Sequence, residues 1–248
     1  MTLAIAHRGD TIRYRENTLP AIRSAMAEGA GMVTIDLKLT ADRHVIALRE
    51  ETVGPSHGPP QPVSELTLAE LAAMNAETEQ RVPTLMEVLS DTSRPRPVPL
   101  MLEVRSVDTA LAAETVLNEH GLSGYALYTG PVETMRSLRT QHPGAQLALT
   151  WDQPTLPPAE LWEDLRPRFY NSHHSLVTRE IVTEAHRNGY AVSAWTVNEF
   201  PEMARLMGMG IDAIMTDYPS DLVKLSGDEQ LQHNYHEGNA TPGSAVTG

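Results

Sequence analysis

Short apolar runs alternate with longer stretches of helical periodicity almost from end to end of the chain. Strands are predicted at 2–6, 32–37, 98–104, 124–128, 146–149, 168–171, 190–195 and 211–215. Helices are predicted near 17–29, 106–120, 131–141, 158–166, 176–188, 199–208 and 219–225. Segment 106–120 is a clear example. Val107, Ala110, Leu111, Ala113 and Leu117 recur at spacings of three and four, while Glu114 and Glu119 point elsewhere. Gly121 then stops the helix, as Gly29 and Gly189 stop theirs. Eight strands, each followed by a helical connection, predict an α/β fold, a (β/α)8 TIM barrel. A doubly wound sheet accepts the same alternation with fewer strands, but about 225 structured residues suit eight units better.

One stretch breaks the rhythm. Thr40-Ala41-Asp42-Arg43 reads as a turn and Val45-Ile46-Ala47-Leu48 as a strand returning from it. Pro55, Gly58, Pro59, Pro60 and Pro62 then impose an irregular loop before helical patterns at Thr67–Met74 and Thr84–Leu89. The expected organisation is a single barrel over 1–225, with an insertion at about 49–82 after the hairpin that follows strand 2. A polar tail, 226–248, reads as mobile.

Composition narrows the partners. Thirty-two Asp and Glu against 19 Lys and Arg give a formal charge of −13, a surface that repels nucleic-acid backbones and anionic lipid heads. There is no cysteine, which excludes disulfides, thiolate metal sites and thiol nucleophiles. No run of 18 apolar residues exists to span a bilayer, and no basic segment precedes an apolar stretch at the N-terminus. The expectation is a cytoplasmic protein acting on a small molecule; its oligomeric state is left open.

In a barrel, chemistry gathers at the C-terminal ends of the strands. Those ends carry His7-Arg8-Gly9, Asp36, Glu103, Asn171-Ser172-His173-His174, Trp195 and Thr216-Asp217. An imidazole, two carboxylates and an aromatic on one rim suit a cation and a phosphate. Further segments share the order and spacing of one family: Ala6-His7-Arg8-Gly9 with Glu16-Asn17-Thr18, Gly29-Ala30 before Asp36, and Leu39-Thr40-Ala41-Asp42. Leu66 to Leu71, Pro83-Thr84-Leu85, Leu102-Glu103-Val104, Ala185-His186, Trp195-Thr196-Val197-Asn198 and Thr216-Asp217-Tyr218-Pro219 complete the set. From Leu3 to about Leu225 the chain resembles the glycerophosphodiester phosphodiesterase family. The resemblance implies a barrel enzyme that hydrolyses glycerophosphodiesters, with a divalent cation on three carboxylates and two histidines as acid and base.

Two of the positions that the resemblance makes functional are changed. The family's Glu-x-Asp on strand 2 reads Thr34-Ile35-Asp36, and its His-Asp after the hairpin reads Arg49-Glu50. Arginine keeps its proton, so Arg49 cannot alternate between acid and base, but it can clamp an anion through paired hydrogen bonds. The resemblance and these changes assign His7 as the remaining proton-transfer group, with Arg49 and Asp36 beside it as catalytic residues. Arg8, Glu16, Glu50, His173 and Trp195 are expected to bind substrate. Asp36 and Glu103 are expected to hold Mg2+ or Ca2+ weakly or not at all, with Arg49 paired to one of them in the cation's place. His57, His173 and His174 are candidates for the missing imidazole. The expected substrate is a phosphorylated or otherwise anionic small molecule, with a lyase- or cyclase-like reaction in view. Two alternatives stay open, an inactive ligand-binding barrel and metal-independent acid/base chemistry on a non-phosphate metabolite.

Overall fold

Eight parallel strands close into a barrel in a computed structural model that describes residues 2–54, 59–74, 80–93 and 97–227. His57 and the tail beyond Gly227 lie outside the described residues. The barrel strands are β1 (Leu3–His7), β2 (Met32–Leu39), β6 (Leu100–Glu103), β7 (Ala126–Thr129), β8 (Gln146–Thr150), β9 (Phe169–His173), β10 (Ala191–Trp195) and β11 (Ala213–Thr216). Each pairs in parallel with its neighbours in chain order, and β1 closes the ring against both β2 and β11. The helices between them are α1 (Leu19–Ala27), α4 (Val107–Glu119), α5 (Val132–Gln141), α6 (Ala159–Leu165), α7 (Arg179–Arg187) and α8 (Phe200–Met207), and residues 219–227 are helical. The predicted (β/α)8 barrel is the fold of the protein.

Alternation along the strands divides the core into two shells. Ala4, Ala6, Val33, Ile35, Leu100 and Leu102 point outward into the layer shared with the helices. Ile5, Met32, Met101, Leu127, Ala148, Phe169, Ala213 and Met215 point inward and fill the barrel's middle. On seven of the eight barrel strands the next inward position is polar, His7, Thr34, Glu103, Thr129, Thr150, Asn171 and Ser193, while on β11 it is Met215. The apolar plug is thereby a floor, and the chemistry stands on it.

The connection after β2 carries the returning strand expected at 45–48, and residues 55–58 of the expected irregular loop lie outside the described residues. β3 (Val45–Ala47) runs antiparallel to β2 with Leu37 opposite Ala47, and the Leu48 N–H donates to the Asp36 carbonyl at 2.9 Å. A two-stranded ladder follows, β4 (Thr52–Val53) with β5 (Gln61–Pro62), then a 3-10 turn at Val63–Glu65 and α2 (Leu68–Met74). Ile46, Leu48, Val63, Leu71 and Val82 form a small core of their own beneath it. α3 (Leu85–Thr92) then returns the chain to the barrel. It opens on a capping box in which Thr84 and Glu87 satisfy each other's backbone amides.

Candidate active site

At the end of β1 the chain turns sharply. Arg8 has φ +64° and Gly9 φ +94°, and a Cβ on Gly9 would sit 2.6 Å from the Ala21 backbone. Holding a non-glycine residue in the left-handed region costs energy, and the surroundings supply it. The Arg8 N–H donates to Thr34 Oγ1 at 3.0 Å, and the Arg8 carbonyl accepts from the Asn17 N–H at 3.0 Å. The guanidinium is thus folded back over β2. Its Nη1 donates to Glu16 Oε2 at 3.0 Å, and its Nε lies 2.6 Å from Asp36 Oδ2 as an ion pair without hydrogen-bond alignment. Burial works against the Arg8 charge, but Asp36 and Glu16 outweigh it and raise the pKa above its usual value. Asp36 is also gripped by Asn17, whose Nδ2 donates to Oδ2 at 2.9 Å and whose Oδ1 accepts the Asp36 N–H.

His7 looks the other way. Its Nδ1 lies 2.9 Å from Asp217 Oδ1, just beyond β11. Asn198, just beyond β10, donates from Nδ2 to Asp217 Oδ2 at 2.7 Å and accepts the Asp217 N–H at 3.0 Å. The hydrogen bond with His7 holds the Asp217 carboxyl below the usual carboxylate range against its burial, with help from Asn198.

These groups border a cavity of about 790 Å3 at the mouth of the barrel. The wall built on β1, β2 and β6 and the segments that follow them carries His7, Arg8, Arg49, Glu103 and Arg105; the wall built on β7 to β10 carries Thr129, Thr150, Asp152, Asn171 and Trp195. A hydrogen-bonded ladder backs the second wall, running from Thr129 through Thr150 and Asn171 to Ser193. Trp195 Nε1 is buried without a hydrogen-bond partner among the described residues.

The expected residues sort unevenly onto this geometry. His7, Arg8, Arg49, Glu103 and Trp195 share the cavity, and Asp36 and Glu16 lie behind Arg8 as its partners. One expectation is corrected: Arg49 pairs with neither Asp36 nor Glu103. Its nearest carboxylate is Glu16 at 4.0 Å, and Arg8 takes Asp36 instead, because the left-handed turn directs Arg8 at β2. Glu50 stands outside the cavity lining, 3.7 Å from Arg15. His173 does too: its Nδ1 bonds the Ser175 hydroxyl and its ring meets Trp195 edge-on at 5.3 Å. His174 is held by Glu202, whose carboxyl is drawn down to about 2, chiefly by hydrogen bonds from Arg205. Neither histidine lines the cavity. Asn17, Arg105, Asp217 and Asn198 were not assigned roles from sequence. Asp217 and Asn198 lie just beyond two strands, in segments that the resemblance shares, and that is the signal available.

A Mg2+ or Ca2+ ion needs oxygen ligands that are not already committed to cations. Asp36 Oδ2 serves Arg8 and Asn17, the Thr34 hydroxyl serves the Arg8 amide, and Glu103 lies 3.4 Å from Arg105. Among the described residues no three His, Cys, Asp or Glu side chains gather as ligands. The three-carboxylate set that the resemblance implies for a divalent ion is not present: Thr34 stands in place of one member, and Asp36 and Glu103 are each paired through one oxygen with an arginine.

Comparison with known proteins agrees with the fold and the motifs. The model of the glycerophosphoryl diester phosphodiesterase family matches residues 7–221. A glycerophosphodiester phosphodiesterase of Caldanaerobacter subterraneus subsp. tengcongensis is 27% identical over 241 residues, 90% of this chain and 97% of that protein. One from Bacillus altitudinis is 25% identical over 246 residues, 91% of this chain and 98% of that protein. An Oleispira antarctica phosphodiesterase solved with the product sn-glycerol-3-phosphate superposes with a TM-score of 0.77 at 24% identity, covering 90% of this chain and 96% of that one. A glycerophosphodiester phosphodiesterase of Thermotoga maritima superposes with a TM-score of 0.75 at 22% identity, covering 91% and 98%.

Proposed function

This chain belongs to the glycerophosphoryl diester phosphodiesterase family, and from that premise we propose that it cleaves the phosphodiester of a small anionic molecule by proton transfer at His7. In this reading arginines, rather than a tightly held divalent ion, neutralise the phosphate. The observation that supports it is that His7, Arg8 and Arg49 line one cavity. His7 has one ring nitrogen engaged by Asp217 and the other available. Glycerol 3-phosphate, held by the Oleispira relative, has the size and charge such a cavity suits.

One imidazole is enough if the substrate attacks itself. A hydroxyl next to the phosphate gives its proton to His7 Nε2, and its oxygen bonds to phosphorus. The bond from phosphorus to the leaving alcohol's oxygen then breaks, and the imidazolium returns its proton to that oxygen. The products are a cyclic phosphate and a free alcohol, and His7 ends neutral as it began. Arg8 and Arg49 take the phosphate oxygens and move no proton. Hydrolysis of the same bond needs a water held and activated in place of that hydroxyl, and Arg49, which stands where the resemblance expects the second histidine, cannot take its proton.

The test is 31P NMR of glycerophosphodiesters incubated with the protein, with EDTA or with added Mg2+ or Ca2+. A cyclic phosphate signal that survives EDTA supports the reading. Release of glycerol phosphate that requires added metal overturns it.

A further inference from the structure

The geometry points to Asp217 as the positioning residue of His7, with Asn198 fixing which way Asp217 can serve it. This rests on the reading that His7 moves the proton. One group in the cluster has a role that cannot be adjusted. The Asp217 backbone N–H is a donor and nothing else, and it points at Asn198 Oδ1 at 3.0 Å. The Thr216 hydroxyl lies 3.3 Å from the same oxygen. That oxygen must therefore be the amide's carbonyl, which leaves the NH2 of Asn198 facing Asp217 Oδ2 at 2.7 Å.

With Oδ2 accepting from Asn198, Oδ1 accepts from His7 Nδ1 at 2.9 Å. A neutral imidazole bonded this way carries its proton on Nδ1 and keeps Nε2 bare. A bare Nε2 is the state that can take a proton from substrate. Asp217 thus selects the tautomer and holds the ring, and it touches no reacting atom.

The chain of donors makes a two-step substitution informative. In Asp217→Asn the new carboxamide keeps its oxygen toward the Asn198 NH2, so its own NH2 faces His7 Nδ1. His7 must then accept at Nδ1 and carry its proton on Nε2, the wrong nitrogen. Adding Asn198→Asp reverses the polarity. The introduced carboxylate still accepts from the backbone N–H at position 217 and from the Thr216 hydroxyl. It also accepts from the NH2 of the new carboxamide, whose carbonyl oxygen then faces His7 as the native carboxylate did.

The experiment is a two-bond 1H–15N correlation spectrum of protein labelled at histidine nitrogens. It is recorded at roughly pH 8.5, about two units above the usual histidine range, with His7 assigned from the peaks lost in His7→Gln. The wild type is expected to show His7 as the Nδ1–H form, D217N as the Nε2–H form, and D217N/N198D as the Nδ1–H form again. In the phosphodiester assay kcat should fall at least about 10²-fold in D217N with KM little changed. The double variant should recover at least about ten-fold of that loss. A wild-type Nε2–H tautomer, or a D217N spectrum that keeps Nδ1–H, overturns the inference. If the tautomers switch as described but no phosphodiester is turned over, the inference stands and the proposed function falls.

Discussion

At the residue scale the site turns on which cation meets which carboxylate. Arg8, bent back by its left-handed backbone, occupies Asp36 and Glu16 together, so Arg49 remains half-exposed and nearly free at the cavity wall. His7 is then the only imidazole in the cavity lining among the described residues. His7→Ala is expected to lower phosphodiester turnover by about 10²–10⁴-fold, measured as kcat, with melting temperature little changed. Wild-type hydrolysis of glycerophosphocholine to glycerol phosphate is expected to be slow, and Thr34→Glu with Arg49→His to raise it in the presence of Mg2+ or Ca2+. Either substitution alone should do little, because metal charge and proton transfer act on one step. Glycerol phosphate release by the four proteins measures this. His7, Asp36 and Glu103 were legible as strand-end residues, since an inward position recurs every second residue above the apolar plug, and Arg8 as the residue that follows the first of them. The Arg8–Asp36 pair was not. It depends on the turn at Gly9 against Ala21, a close approach between residues that no periodicity marks.

Elements decide how those residues are delivered. The β2–β3 hairpin brings Arg49 to the cavity because its register places Leu48 beside Asp36, and the small core under Ile46 and Leu48 holds that strand in place. The strand was readable from its apolar run, but the two-residue strands β4 and β5 offer too few positions for any alternation to show, and Pro62 argues against a strand. α3 begins beside this insertion, and its capping box gives a measurable handle. Hydrogen bonds from Arg81, then from the Thr84 amide and hydroxyl, draw the Glu87 carboxyl from 4.5 down to about 2 against its partial burial. A carboxyl depressed on folding contributes stability that is complete above its unfolded pKa and vanishes as pH falls through its folded one. Glu87→Gln is therefore expected to lower the melting temperature by an amount that is constant above pH 4.5 and disappears toward pH 2. Thermal melts of both proteins across that range check the sign. A gap that widens in acid would contradict it.

For the molecule as a whole, the alternation of short apolar runs and helical segments was enough to give eight strands, their order and the face that carries the chemistry. Side-chain contacts between residues remote in sequence, such as His7 with Asp217, escaped it. Stability in this barrel comes from two apolar shells, and no described cluster of ligands ties it to an ion. Adding EDTA is accordingly expected to leave the melting temperature unchanged within about 1 °C, whereas a structural ion would typically add several degrees. Differential scanning calorimetry with and without chelator measures it.

The closure of the ring has a further consequence. His7 and Asp217 are 210 residues apart, and they meet only because β11 docks beside β1, with Ala6 opposite Thr216. As the chain leaves the ribosome, the imidazole and all the arginines of the cavity emerge while its aspartate is still unmade. A nascent chain can hold nearly the whole inventory of the site and still have its histidine unanchored. On the proposed role of His7, full competence is acquired in one late event, the seating of the last strand. Recovered turnover after denaturation would, for the same reason, report on the completed ring and on nothing short of it.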